Sequence, residues 1–114
     1  MENRAPGHMV HVTYIDHDDT SRTVDVPEGV SVMEGALRHR IPGIEGDCGG
    51  ACACATCHVY VDPAWLDRLK PPSQLETTML TMTVGPNDQS RLSCQIVVRP
   101  ELEGLTVRTP EHQY

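Results

Sequence analysis

Phenylalanine is absent from this 114-residue chain, tryptophan occurs once, at Trp65, and there are three tyrosines. A core built on aromatic rings is therefore excluded, and Val, Ile, Leu and Met must do the packing. The length fits one domain with a modest core, so a cofactor that ties distant parts of the chain together would help it. No apolar run approaches the roughly 20 residues of a membrane span. The start, MENRAPGH, lacks the apolar stretch of a secretory signal. Positive charge is scarce: 9 Lys and Arg face 16 Asp and Glu, for a net charge of −7. That balance repels a phosphate backbone and excludes nucleic acid as a natural partner; a basic protein surface is the partner that long-range charge would steer. The expectation is a cytoplasmic monomer without membrane contact, with a flexible extension over 1–8 and one domain over 9–114.

Disulfide pairing is the next exclusion. The five cysteines are an odd number, and four fall between Cys48 and Cys57. Such crowding in a cytoplasmic chain points to a metal or redox site.

Met9 to Asp16 alternates imperfectly and is rich in β-branched residues, which predicts a strand; Arg22 to Val26 predicts a second and completes a hairpin. Ser31 with Glu34 three residues on has capping-box spacing, and Val32, Met33, Ala36 and Leu37 supply the apolar face of a helix that stops before Pro42. Gly46 to Cys57 is a loop with almost no large side chain. His58 to Val61 predicts a strand, Pro63 to Leu69 a short helix with proline in its first turn, and Leu75 to Leu80 a further helix. Leu92 to Val98, containing Cys94, and Leu105 to Arg108 complete the strands. Met33, Met79 and Met82 read as core. The order hairpin, helix, cysteine loop, strand, helices, two strands is an α+β arrangement with a mixed sheet covered by helices.

Cys48, Cys54 and Cys57 make C-x5-C-x2-C, with Cys94 remote. Four thiolates are what a [2Fe–2S] cluster requires. Gly49, Gly50, Ala51, Ala53 and Ala55 let backbone N–H groups approach the inorganic core, and Thr56 adds a hydroxyl. A structural zinc site on the same four residues, in a zinc-stabilised binding module, is the rival. Zinc sites usually show two short-spaced pairs, whereas here three ligands crowd one loop. Cys52 in place of Cys54 would give x3 and x4 spacings; the alternation Cys52-Ala-Cys54 sends the two side chains apart, and Cys52 reads as a small, partly buried packing residue. His58 beside Cys57 invites comparison with a histidine-ligated cluster, but four thiolates leave it no vacancy.

Gly46-Asp-Cys-Gly-Gly50, Cys54-Ala-Thr-Cys-His-Val-Tyr-Val61 and Ser90-Arg-Leu-Ser-Cys-Gln-Ile96 closely resemble the adrenodoxin and putidaredoxin type of [2Fe–2S] ferredoxin. The likeness extends from about Met9 to Tyr114. It implies a β-grasp (ubiquitin-like) fold, with Cys48 and Cys54 on the outer iron and Cys57 and Cys94 on the inner one, and so Cys54 rather than Cys52. It implies one-electron transfer, not enzymatic chemistry, from an FAD-containing, NAD(P)H-dependent ferredoxin reductase to an acceptor, commonly a cytochrome P450; electron supply to iron–sulfur cluster assembly is the alternative. For partner contact it implies Asp47, before the first ligand, and Tyr114, where the bacterial branch carries a terminal aromatic. In the helix that is acidic and docks basic partners in the adrenodoxin branch, Gln74 to Thr81, only Glu76 keeps a charge, and it is the third expected partner contact.

Overall fold

The computed structural model describes residues 9–41, 44, 57–83 and 85–110. Strands β1 (Met9–Ile15) and β2 (Ser21–Pro27) form the expected antiparallel hairpin, with Val12 opposite Val24. Along β1 the side chains alternate, and Val10, Val12 and Tyr14 point into the core, as a strand with one solvated face requires.

Helix α1 (Val32–Arg38) starts where its capping residue dictates: the Ser31 hydroxyl accepts the Glu34 N–H at 3.0 Å, satisfying one of the orphan donors of the first turn. Val32, Met33 and Ala36 are buried against the sheet. The helix lies so close that a Cβ built on Gly35 would stand 2.7 Å from Val26 Cγ2 and 3.0 Å from Tyr14 Oη. Tyr14, wholly buried, donates its hydroxyl to the Val32 carbonyl at 2.7 Å. In a core without phenylalanine, this ring with Leu92, Leu102 and Leu105 supplies the largest buried bodies.

Strand β3 (His58–Val61) follows the cysteine loop, α2 (Pro63–Leu66) begins at proline under an Asp62 cap, and α3 (Gln74–Leu80) begins under a Ser73 cap. Helix α2 stops three residues earlier than the sequence predicts, with Leu69 N–H turning onto the Leu66 carbonyl. Strand β4 (Ser90–Leu92) and β5 (Leu105–Arg108) complete a five-stranded sheet in the order β2-β1-β5-β3-β4. β5 runs parallel to β1 and antiparallel to β3, so the sheet is mixed as expected.

Two expectations are corrected. The strand predicted over Leu92 to Val98 ends at Leu92, and Cys94 sits on a single 3₁₀ turn, Ser93–Gln95. Beyond the turn the chain is held again, by Val32 N–H to the Ile96 carbonyl at 2.8 Å and Val98 N–H to the Val30 carbonyl at 2.9 Å. Ser93 N–H still reaches the Cys57 carbonyl in register with the β3–β4 pairs, and the chain then turns, with the Ile96 N–H closing onto the Ser93 carbonyl. Met33 is buried and Met79 partly so, but Met82 is 70% exposed, since α3 ends at Leu80 and leaves it on the following turn.

Candidate metal centre

Of the cysteines singled out by spacing, Cys57 and Cys94 are described; Cys48, Cys52 and Cys54 lie outside the described residues, as do Asp47 and Tyr114. The two described thiols are buried, at 1% and 9% exposure. Their segments are stitched together by one residue. Ser93 donates its N–H to the Cys57 carbonyl at 2.9 Å and its hydroxyl to the same oxygen at 2.7 Å. The residue preceding Cys94 thus anchors it to the end of the cysteine loop. Gln95 Nε2 lies 3.4 Å from Cys94 Sγ and can donate to it. An N–H aimed at sulfur favours the thiolate over the thiol, and hydrogen bonds to cluster sulfur are among the factors that set a cluster's potential.

The three residues of β4 deliver Cys94 and are each fixed by their neighbours. Ser90 Oγ accepts the Asn87 N–H at 2.8 Å and lies 2.8 Å from His58 Nε2. Arg91 donates to Glu76, and the Leu92 N–H donates to Glu76 Oε2 at 3.0 Å. His58 is fully buried, packs edge-to-face on Tyr60 at 4.7 Å, and is neutral near pH 7 because desolvation pushes its pKa down to about 4. Its Nε2 is spent on Ser90, which fits the structural role expected of it.

Glu76, expected among the partner contacts, lies inside. It is 1% exposed, and its carboxylate oxygens accept from Arg91 Nε at 2.7 Å and Arg91 Nη2 at 3.0 Å. A carboxylate so committed ties α3 to β4 and presents no charge to a docking protein. The signal for this was in the sequence: Ser90-Arg-Leu supplies the one cation positioned to meet it, but only the fold brings residues 76 and 91 together.

Two buried thiols on adjoining, cross-bonded segments, one of them facing an amide donor, suit the sulfur-ligated iron of a [2Fe–2S] cluster. The fold and the site together define a β-grasp protein with one buried cysteine just before β3 and another on the turn after β4. The family model described as 2Fe-2S iron-sulfur cluster binding domain matches residues 15–99, and the chain belongs to that family. It is 54% identical to ferredoxin CarAc from Sphingomonas sp over 90 residues, 79% of this chain and 83% of that protein. The crystal structure of a reduced putidaredoxin variant from Pseudomonas putida superposes with a TM-score of 0.90 at 44% identity, over 91% of this chain and 99% of that one. Putidaredoxin in its covalent complex with putidaredoxin reductase matches with a TM-score of 0.84 at 46% identity, over 87% and 96%. The chain is accordingly an adrenodoxin-type [2Fe–2S] ferredoxin of the bacterial kind, an electron-transfer protein and not an enzyme, and the group it binds is the iron–sulfur cluster rather than zinc.

Proposed function

We propose that this ferredoxin carries single electrons from an FAD-containing, NAD(P)H-dependent reductase to a cytochrome P450, with its cluster held by Cys48, Cys54, Cys57 and Cys94. The observation that carries this is the likeness to putidaredoxin over nearly its whole length, including the form bound to its reductase. The cluster, when bound, supplies a site that gains and loses one electron. The protein's own residues do the rest. Ser93 holds the two described cysteine segments in register, Gln95 offers a donor to Cys94 sulfur, and the β4 side chains brace the strand that leads into that turn.

Partner contact falls to Asp47 and Tyr114, with the acidic surface steering encounter. Weak, fast docking suits a carrier that must leave each partner, and small interfaces and charge complementarity deliver it. The working unit is the domain over 9–114, acting as a monomer in the cytoplasm. Among the described residues, no helix is long and apolar enough to cross a membrane.

The test is reconstitution. Purified holoprotein, an FAD reductase of the putidaredoxin-reductase type and a bacterial P450 are combined with NADH, and substrate turnover is followed. Turnover that requires all three proteins is expected. Reduction by the reductase without turnover by any P450, together with support of cluster assembly on a scaffold protein, would replace this acceptor with the assembly machinery.

A further inference from the structure

A cleft of about 350 Å³ opens between the segment after α2 and the chain that follows Cys94. Its walls include Leu69, Ile96 and Leu102, each no more than 8% exposed. Such a volume falls at the lower end of small-molecule sites. Its polar lining is unusual for this chain. Acidic residues outnumber basic ones 16 to 9, yet none of the described residues lining the cleft is acidic, and three are cationic.

Those cations differ in how they are used. Arg91 is neutralised by Glu76 and also donates to the Lys70 carbonyl at 2.9 Å. Lys70 and Arg99 carry no hydrogen bond or ion pair on their charged ends among the described residues. Elsewhere the described arginines are engaged: Arg22 with Asp16, Arg38 with Glu34, Arg108 with Asp19, and Arg68 over the Trp65 ring at 4.9 Å. Only Arg40 is also unpaired among them. Two of three unengaged cations therefore share the rim of one apolar cleft.

We propose that this cleft binds an amphipathic organic carboxylate, its head between Lys70 and Arg99 and its aliphatic tail against Leu69, Ile96 and Leu102. The guanidinium fork offers a carboxylate two parallel N–H bonds, and the ammonium adds a compact charge. The aliphatic walls select a tail, each buried methylene strengthening binding about fourfold until the cleft is filled. The site has a link to the metal centre as well, because Gln95 lines the same cleft and approaches Cys94 sulfur.

Lys70 is the chain's only lysine, which makes the test direct. Reductive ¹³C-methylation of the holoprotein keeps its charge and gives one lysine side-chain NMR signal, distinct from that of the terminal amine. Octanoate below its micelle concentration is expected to move this signal saturably. Butyrate should bind more than tenfold more weakly, octanol should bind more than tenfold more weakly, and Arg99→Gln should weaken octanoate at least tenfold without changing the thermal midpoint. A small change in the visible circular dichroism on octanoate binding is expected through Gln95. Octanoate binding that ignores both chain length and Arg99→Gln overturns the proposal. So does absence of octanoate binding with a reductase affinity that falls in Lys70→Gln and Arg99→Gln, which would make the cleft a protein-docking surface. None of these readouts depends on which protein accepts the electron.

Discussion

Arg91 and Glu76 meet in the interior as a two-point clamp, Nε to Oε2 at 2.7 Å and Nη2 to Oε1 at 3.0 Å, between the strand that leads to Cys94 and helix α3. Removing one partner of such a pair strands the other charge away from water, at a cost of about 3–5 kcal/mol. Arg91→Met alone should therefore lower the thermal midpoint of the holoprotein by about 10 °C or more and speed loss of its visible colour. Combining it with Glu76→Leu should restore part of the midpoint, because the stranded charge disappears while the buried Leu92 N–H loses its acceptor. A double variant no better than the single one would mean that the clamp acts through geometry that apolar packing cannot replace.

The choice of cysteines is tested by separate Ser substitutions. Cys54→Ser is expected to abolish or distort the visible spectrum of the reconstituted protein. Cys52→Ser should leave the spectrum and the iron content unchanged. The opposite pattern would move the ligand to Cys52.

Gly35 and Tyr14 share a contact that leaves no space. Gly35→Ala forces a methyl against Val26 Cγ2 and Tyr14 Oη, and overpacking of this kind costs about 1–3 kcal/mol. Tyr14→Phe removes the bond to the Val32 carbonyl, which still accepts within the helix, at about 0.5–1.5 kcal/mol. In Gly35→Ala/Tyr14→Phe the losses should sum to less than the two separately, since removing the hydroxyl relieves part of the clash. Denaturant unfolding followed by far-ultraviolet circular dichroism reads all three.

His11 lies between two carboxylates on the surface, its Nδ1 2.7 Å from Glu103 Oε2 and its Nε2 3.1 Å from Asp25 Oδ1. The hydrogen bond to Glu103 and the charges of Glu103 and Asp25 raise its pKa above the ordinary value, while hydrogen bonds from His11 hold Glu103 below its own. A raised histidine stabilises the fold fully below its unfolded pKa near 6.5, and that contribution disappears as pH rises through the folded value. The Glu103 contribution works in the other direction and is lost as pH falls through its lowered value. The attraction is thus complete only in the window between the two. NMR titration of the His11 ring should show a pKa above that of an exposed histidine, and Glu103→Gln should bring it down; no change in Glu103→Gln would show that Glu103 does not set the His11 pKa.

Much of the fold is legible in the sequence where a local rule and a tertiary need agree. Ser31 and Glu34 announce α1, Pro63 announces α2, and the alternation of Val10, Val12 and Tyr14 announces β1. The metal centre is legible as spacing, because cluster ligation constrains the residue types and distances along one loop. What escapes is decided by residues far apart in the chain. Nothing local to Ser93 says that its N–H and hydroxyl will both reach the Cys57 carbonyl, or that the chain will turn straight after it. Nothing local to Glu76 says that Arg91 will bury it; an isolated acid on a helix looks like surface until its partner is placed. Met82 errs in the opposite sense, a methionine whose helix stops too soon to carry it inward.

The position of β5 has a consequence for how the protein is made. That last strand lies between β1 and β3 and is the seam joining the two halves of the sheet, yet all five cysteines are translated before it. The thiols are thus synthesised before the strand that closes the sheet at its centre. Completion of β5, rather than of the last cysteine, is therefore what joins β1 to β3 and gives the turn bearing Cys94 its finished sheet.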